Sequence, residues 1–254
     1  MRAVLLAMAV TVRLLDPLAA ASPEGPAPVK VMLIGDSLSV GGFGDGMQAS
    51  LIRGFGAKNV VIFASCGSSP EDWLKGGFVT NCGYRQTTPA GSLLYEYQNG
   101  KRPRPVMTPK LRKLLGHYRP EIVIVQQGTN WMDALAATTA PDAAHYRGII
   151  RDFVREIRRV NPSAQIFWVL PPSSSKYPER VHADVESWVN EVSRQQGFYT
   201  INSRKITGPD RDGRTGGDGV HVTDAAGRAW ARGTHAKFVA GLKALALAPA
   251  SSAP

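Results

Sequence analysis

The fold class is indicated first by one apolar run near the start of the chain, Val29-Lys-Val-Met-Leu-Ile-Gly35. It is a short, almost unbroken apolar run with no helical period, which is typical of a strand that is covered on both faces. Further runs of this kind are Asn59 to Phe63, Glu121 to Gln127, Gln165 to Leu170 and Phe198 to Ile201. We therefore expect a sheet of about five strands.

Segments with a helical period separate these runs. The clearest extends from Asp142 to Val160, where one apolar stripe recurs every three or four residues and the arginines lie outside it. The other predicted helices are Met47 to Gly54, Pro109 to Tyr118, Glu179 to Gln196 and Thr223 to Leu247. This alternation predicts an α/β fold, a three-layer α/β/α sandwich around a mostly parallel sheet, in a single domain from 29 to 247.

Four further segments have distinctive compositions. Residues 1–21 combine an early Arg2, an apolar run and small residues before Ser22, which predicts a cleavable signal peptide; an amphipathic helix is the alternative, and Pro17 disfavours it. Residues 22–28 form a Pro-rich linker. Residues 68–109 are rich in Gly, Pro, Thr and Asn, and we expect an irregular insertion over one edge of the ligand crevice. The segment 248–254 is predicted to be a disordered tail.

Charge and cysteine content narrow the chemistry. The 254 residues include 30 Lys and Arg against 20 Asp and Glu, and the net charge of +10 favours anionic partners without choosing among them. Two cysteines exclude a four-thiolate zinc site from one chain. In an oxidising compartment Cys66 and Cys82 could form a disulfide, and two unrelated buried thiols are the alternative. Four histidines outside the motifs have no partner at ligand spacing, so no metal site is predicted.

The first strand ends in Gly35-Asp36-Ser37-Leu38-Ser39. Ligands of such sheets bind beyond the carboxyl ends of the strands, so Ser37 would lie at the rim of the crevice, where a nucleophile is exposed. Taken alone, these residues are also good turn and helix-capping chemistry. The sequence lacks the Gly-x-Ser-x-Gly elbow of the α/β-hydrolases, because position 39 is serine.

Two other strands lead into candidate oxyanion donors. The second runs into Ala64-Ser-Cys-Gly67, where the glycine can offer a backbone N–H, and the third runs into Gly128-Thr-Asn130, which places a side-chain amide at the same rim. The N–H groups of Ser37 and Gly67 with the Asn130 amide could stabilise an oxyanion during acyl transfer. Considered singly, Gly67 could be a turn glycine and Asn130 a helix cap.

The fourth element is Gly217-Asp-Gly-Val-His221, which precedes the last predicted helix. Asp218 and His221 are three residues apart in a Gly-containing turn, so the carboxylate could orient the imidazole, as a serine base requires. A capping aspartate and a structural histidine are the alternative.

Together, the ordered blocks Gly-Asp-Ser-Leu-Ser (35–39), Gly-Thr-Asn (128–130) and Asp-Gly-Val-His (218–221) resemble the GDSL, or SGNH, hydrolase family over about residues 29–240. The resemblance implies a fold related to flavodoxin-like proteins and a covalent acyl-serine mechanism with no metal or other cofactor. It makes Ser37 the nucleophile, His221 the general base and Asp218 its orienter. Gly67 and Asn130 become oxyanion donors beside the Ser37 N–H. The second block matches more loosely, since Gly67 follows Phe63-Ala-Ser-Cys66 rather than an Asn-containing stretch.

The resemblance predicts a serine esterase of acyl, here acetyl, esters on an extracytoplasmic polysaccharide or peptidoglycan. An O-acetyltransferase, a general small-ester or lysophospholipid hydrolase, and a silent carbohydrate- or nucleic-acid-binding protein are alternatives. We expect a secreted or periplasmic protein without integral membrane association or a nucleic-acid partner. Four aromatic residues on the expected rim loops could stack on sugar rings or merely pack those loops. They are Trp73, Tyr84, Tyr95 and Trp131, and the last was expected to alter the pocket wall.

Overall fold

The structure is a computed structural model, and it describes residues 30–96, 101–209 and 217–247. The predicted signal peptide (1–21), the linker (22–28) and the tail (248–254) lie outside the described residues. None of the described helices is sufficiently long and apolar to span a membrane.

A seven-stranded sheet forms the centre of the molecule, in the order β5-β4-β2-β1-β7-β8-β9. Its strands are β1 (Val31–Gly35), β2 (Val60–Ser65), β4 (Gly83–Thr88), β5 (Gly91–Glu96), β7 (Ile122–Gln126), β8 (Gln165–Val169) and β9 (Tyr199–Ile201). A separate two-stranded ribbon pairs β3 (Val79–Thr80) with β6 (Val106–Met107).

The five predicted strands are all present, and they are the parallel ones. Their order β2-β1-β7-β8-β9 is the flavodoxin-like order of a doubly wound sheet, so the fold prediction is confirmed. The central strands β2, β1, β7 and β8 are largely apolar and buried, as expected for strands that are covered on both faces. In β1, for example, Met32 and Ile34 enter one core, and Val31 and Leu33 enter the other.

Helices cover both faces of the sheet. They are α1 (Gly42–Phe55), α2 (Pro70–Lys75), α3 (Leu111–Tyr118), α4 (Met132–Ala136), α5 (Ala143–Val160), α6 (Glu179–Gln196), α7 (Ser203–Thr207) and α8 (Asp224–Leu247). Residues of α2 to α6 pack in the first core, and those of α1 and α8 pack in the second. On α5, the predicted stripe supplies the buried Ile149, Ile150, Phe153 and Ile157.

The segment 68–109 departs from the expectation of an irregular insertion. It holds α2, β3 and β6, and the antiparallel hairpin β4–β5, which extends the sheet from five strands to seven. Helix α2 begins at Pro70 behind a capping box formed by Ser69 and Asp72. The elements of this segment are short and joined by turns, which explains its composition. Strands β4 and β5 pair locally, whereas β2–β4 and β3–β6 pair over longer separations in the sequence.

A disulfide joins Cys66, which follows β2, to Cys82, which precedes β4. The Cα atoms of the two cysteines are 5.6 Å apart. The Thr80 hydroxyl also donates to the Cys66 carbonyl oxygen at 2.8 Å. The inserted segment is therefore fastened to the carboxyl end of β2.

Candidate active site

Ser37 begins a short 3-10 helix (Ser37–Ser39) at the carboxyl end of β1 and is half-buried. The preceding Asp36 caps this turn, because its carboxylate accepts the Leu38 N–H at 2.9 Å. Behind the turn, the buried Arg85 guanidinium donates to the Val40 carbonyl oxygen at 2.6 and 2.9 Å. The backbone around Ser37 is thus held from both sides.

Asp36 is fully buried beside Ser37. Burial raises the pKa of its carboxyl to about 6, against the opposing effects of the Leu38 N–H, of nearby Thr129 and Gln126, and of the charge on His221. Among these neighbours, only Leu38 makes a hydrogen bond of good geometry to the carboxylate.

Gly67 lies in the turn after β2, is exposed, and has φ of +82°, a backbone conformation that favours glycine. The turn is fixed by a chain of contacts: the Trp73 indole donates to the Ser68 hydroxyl at 3.0 Å, and that hydroxyl donates to the Ser65 carbonyl at 2.7 Å. Within the described ranges no hydrogen bond uses the N–H of Gly67 or of Ser37. Both N–H groups are available to a ligand.

Asn130 lies in a second 3-10 helix, Thr129–Trp131, which follows β7. Its side-chain amide donates one hydrogen to the Ser68 carbonyl oxygen at 2.8 Å, which brings the amide beside the Gly67 turn. The amide carries two hydrogens, so the second is free to donate elsewhere. The register places Gly35 level with Ala64 of β2 and Gln126 of β7, so the three donors follow neighbouring strands at one edge of the sheet.

Asp218 and His221 form a bonded pair in the turn before α8. His221 Nδ1 and Asp218 Oδ2 are 2.5 Å apart, and Asp218 Oδ1 accepts the N–H groups of Val220 and His221, each at 2.8 Å. Partial burial raises the pKa of Asp218, but these hydrogen bonds outweigh it and lower the pKa to about 2. The carboxylate is therefore ionised at neutral pH and holds the imidazole in one orientation.

The segment that follows β8 holds the Asp218–His221 turn in place. The Ser174 hydroxyl donates to the Gly219 carbonyl oxygen, which also accepts the Lys176 N–H at 3.4 Å. The Lys176 ammonium forms an ion pair with Asp133 of α4 at 2.7 Å. This segment thus links the Asp218–His221 turn to the helix that begins two residues after Asn130.

Close packing of α1 against α8 brings the turn and Ser37 to the same end of the molecule. A Cβ atom on Gly42 would lie 2.5 Å from the Asp224 carbonyl oxygen, so the starts of the two helices touch through their backbones. Ser37 and His221 lie five and three residues before these contact points. Their side chains make no direct hydrogen bond; a general base and its nucleophile are often further apart without substrate.

Three of the four aromatic residues expected at the rim are instead buried in the core: Trp73, Tyr84 and Trp131. Trp73 is drawn inward by the capped helix α2. The Trp131 indole donates to both Glu71 carboxylate oxygens, at 2.9 and 3.1 Å, and its ring packs edge-on against Tyr146. Trp73 is tied to Ser68 of the Gly67 turn and Trp131 to Glu71 of α2, and none of the three buried rings is exposed for stacking on a sugar. Only Tyr95 is partly exposed.

Sequence reasoning missed the buried Asp36 and the tie from Ser174 to Gly219. Asp36 was visible inside the Gly-Asp-Ser block, and its place after a fully buried strand was the available signal. Ser174 belongs to a serine run, 173–175, that follows β8, and its partner is 45 residues away. A cavity of about 380 Å³ lies against this run, lined also by His182 and Arg204. In the part of the chain that the structure describes, no group of three or more His, Cys, Asp or Glu could hold a metal ion.

Residues 33–229 match the sequence pattern of the GDSL-like Lipase/Acylhydrolase family. A peptidoglycan O-acetylesterase has a similar structure, with a TM-score of 0.57 and 14% identity over 86% of this chain and 93% of that chain. A family 3 carbohydrate esterase from Talaromyces cellulolyticus has a TM-score of 0.57 and 16% identity, over 85% of this chain and 99% of that chain. A lipase/acylhydrolase from Enterococcus faecalis has a TM-score of 0.54 and 15% identity, over 84% of this chain and 96% of that chain. No curated protein sequence matches.

Proposed function

Because the chain belongs to the GDSL-like lipase/acylhydrolase family and is a carboxylic ester hydrolase, we propose that Ser37 is its nucleophile and His221 its general base. Asp218 orients the base. The observation that carries this assignment is the bonded Asp218–His221 pair, held at the same end of the molecule as the Ser37 turn. The remaining pieces, Gly67 and Asn130, follow neighbouring strands at that edge.

The reaction proceeds through an acyl-serine. His221 takes the Ser37 hydroxyl proton as the serine oxygen attacks the ester carbonyl, and the oxyanion is stabilised by the N–H groups of Ser37 and Gly67 and by the Asn130 amide. His221 then gives the proton to the leaving alcohol. Water, activated by the same imidazole, attacks the acyl-serine, releases the acid and restores the serine.

The substrate is an acyl ester, and acetyl esters of an extracytoplasmic polysaccharide or peptidoglycan are the proposed class. Support comes from two structurally similar proteins, a peptidoglycan O-acetylesterase and a carbohydrate esterase. The composition of residues 1–21 and the Cys66–Cys82 disulfide support a secreted or periplasmic location, since disulfides persist in oxidising compartments.

The test is acetate release from p-nitrophenyl acetate by the protein, beside Ser37→Ala. We expect turnover by the wild type and none above background by the variant. An O-acetylated glycan as second substrate then distinguishes polymer deacetylation from general ester hydrolysis. If a folded wild type releases no acetate from either substrate, the proposed function is wrong.

A further inference from the structure

An exposed basic surface lies on the hairpin side of the site. We define it as the basic lip: Lys101, Arg102 and Arg104, with the ring of Tyr95. All three cationic side chains are exposed, and within the described ranges none forms an ion pair with a carboxylate. Unpaired charges in one short segment are free to bind an anion.

The two arginines of the basic lip are held in place by neutral groups. Arg104 lies over the Tyr95 ring, 4.5 Å from its centroid, and donates to the Tyr95 hydroxyl. Arg102 donates to the Asn81 side-chain oxygen at 3.3 Å. An arginine stacked on an aromatic ring keeps its charge while its side chain is already ordered, so less entropy is lost when an anion binds.

The register fixes how far the lip is from the reacting ester. Tyr95 pairs with Tyr84, which pairs with Ser65 of β2, and the residue before Ser65, Ala64, pairs with Gly35 at the end of β1. Three strand spacings separate the two ends of this row, about 14 Å.

On the other side, Asn81 is joined to Gly67 through the disulfide. The 5.6 Å between the Cα atoms of Cys66 and Cys82 and one peptide step at each end give about 13 Å at most between the Asn81 and Gly67 Cα atoms. The lip and the proposed oxyanion donors are therefore close enough for one polymer chain to reach both.

We propose that the basic lip binds the carboxylates of an acidic polysaccharide whose acyl ester lies at Ser37. This rests on the proposed function, because the same molecule must present an ester to the site. Planar guanidinium groups recognise carboxylates through paired hydrogen bonds. The net charge of +10 adds a general attraction for such polymers. A nucleic acid could satisfy the charges but carries no acyl ester for Ser37.

The test compares Arg102→Gln/Arg104→Gln with a matched control, Arg53→Gln/Lys58→Gln. The control removes the same two charges from exposed positions in and just after the last turn of α1, before β2 and so at the opposite edge of the sheet. Substrates are O-acetylated polygalacturonate, O-acetylated dextran and p-nitrophenyl acetate, with circular dichroism to confirm folding.

We expect the lip variant to lose about tenfold in kcat/KM on acetylated polygalacturonate, relative to its own value on p-nitrophenyl acetate. The loss resides in KM. The control variant and the dextran substrate show no such relative loss, and the effect shrinks as salt rises from about 0.05 to about 0.3 M. When Arg104 is replaced by Lys instead of Gln, the charge stays but the planar group is lost. We expect this replacement to recover only part of the loss in kcat/KM.

Three results overturn the proposal: an equal loss on dextran, an equal loss in the control variant, or inhibition by a DNA oligonucleotide as strong as inhibition by unacetylated polygalacturonate. An equal loss in the control variant would mean that net charge alone causes the effect. Equal inhibition by DNA would mean that the lip binds polyanions in general. A wild type that hydrolyses p-nitrophenyl acetate but shows none of the expected pattern refutes only the lip. A wild type inactive on every ester refutes the proposed function itself.

Discussion

The nucleophile side and the base side of the site are built in opposite ways. Ser37 follows a strand whose residues are all buried, its neighbour Asp36 has no exposed surface, and Arg85 clamps the backbone behind it. The side chains of His221 and Asp218, by contrast, are 49% and 53% exposed. They lie in a turn that is tied to the rest of the molecule through the Gly219 carbonyl and the start of α8.

The positions of the nucleophile and of the base are therefore fixed by different means. The position of Ser37 is a property of the whole core, so moving it would require the sheet to deform. The position of His221 depends on a few local hydrogen bonds, each worth about 1 kcal/mol. Substitutions near Ser37 should therefore alter folding and catalysis together, whereas those around His221 should alter catalysis alone.

The largest expected effect is Ser37→Ala, which should lower kcat by about 10⁴-fold or more because no covalent intermediate can form. Initial rates on p-nitrophenyl acetate measure it. Ser163→Ala, an exposed serine at the opposite edge of the sheet, is the matched control and should keep wild-type rates. Substantial turnover by Ser37→Ala would show that Ser37 is not the nucleophile.

Asn130→Ala should lower kcat by about 10² to 10³-fold through loss of one oxyanion donor. The same amide donates to the Ser68 carbonyl, so the free energy of unfolding should also fall, by about 1 kcal/mol. Steady-state kinetics and urea denaturation measure the two effects. An unchanged kcat with reduced stability would assign Asn130 a structural role only.

Asp36→Asn sharpens the contrast in stability. The folded-state pKa of Asp36 is raised to about 6 from an ordinary value near 4, so the native state binds the proton more tightly than the unfolded chain. Wild-type stability should therefore fall as pH rises from about 4 to about 6, by about 3 kcal/mol from this group. The variant should lack that decline.

Urea unfolding of wild type and Asp36→Asn at pH values on both sides of this window gives the comparison directly. Asparagine retains the oxygen that accepts the Leu38 N–H, so the turn itself should persist. Parallel curves for the two proteins would show that Asp36 titrates normally and that its burial carries no electrostatic cost.

The smallest effect is expected for Ser174→Ala, which removes the tie to Gly219. We expect kcat to fall about fivefold, the equivalent of one hydrogen bond, and the melting temperature to fall by only about 2 to 4 °C. Ser174→Thr, which keeps the hydroxyl, should recover most of the loss, and Ser163→Ala again serves as control. A large drop in melting temperature would show that the base half is as integral to the fold as the nucleophile half.

The sequence predicted the parallel core well because its signals are local. Buried parallel strands are continuous apolar runs, and helices such as α5 show an unbroken stripe. The hairpin β4–β5 was missed, because its strands mix polar and apolar residues without a continuous apolar run and its place in the sheet depends on pairing with the distant β2. The sequence left open whether Trp73 and Trp131 stack on sugars or pack the loops. The capping of α2 and the Glu71 contact decide for burial, and neither follows from periodicity.

The contact between Gly42 and the start of α8 has a consequence for synthesis. With the assigned roles, the nucleophile leaves the ribosome early and its base leaves only with the last described helix, after all five parallel strands. A chain that has not yet reached His221 lacks the assigned base and therefore the ester-cleaving activity. Hydrolysis is thereby postponed until the polypeptide has been made as far as α8, and detectable turnover reports that translation has passed that point.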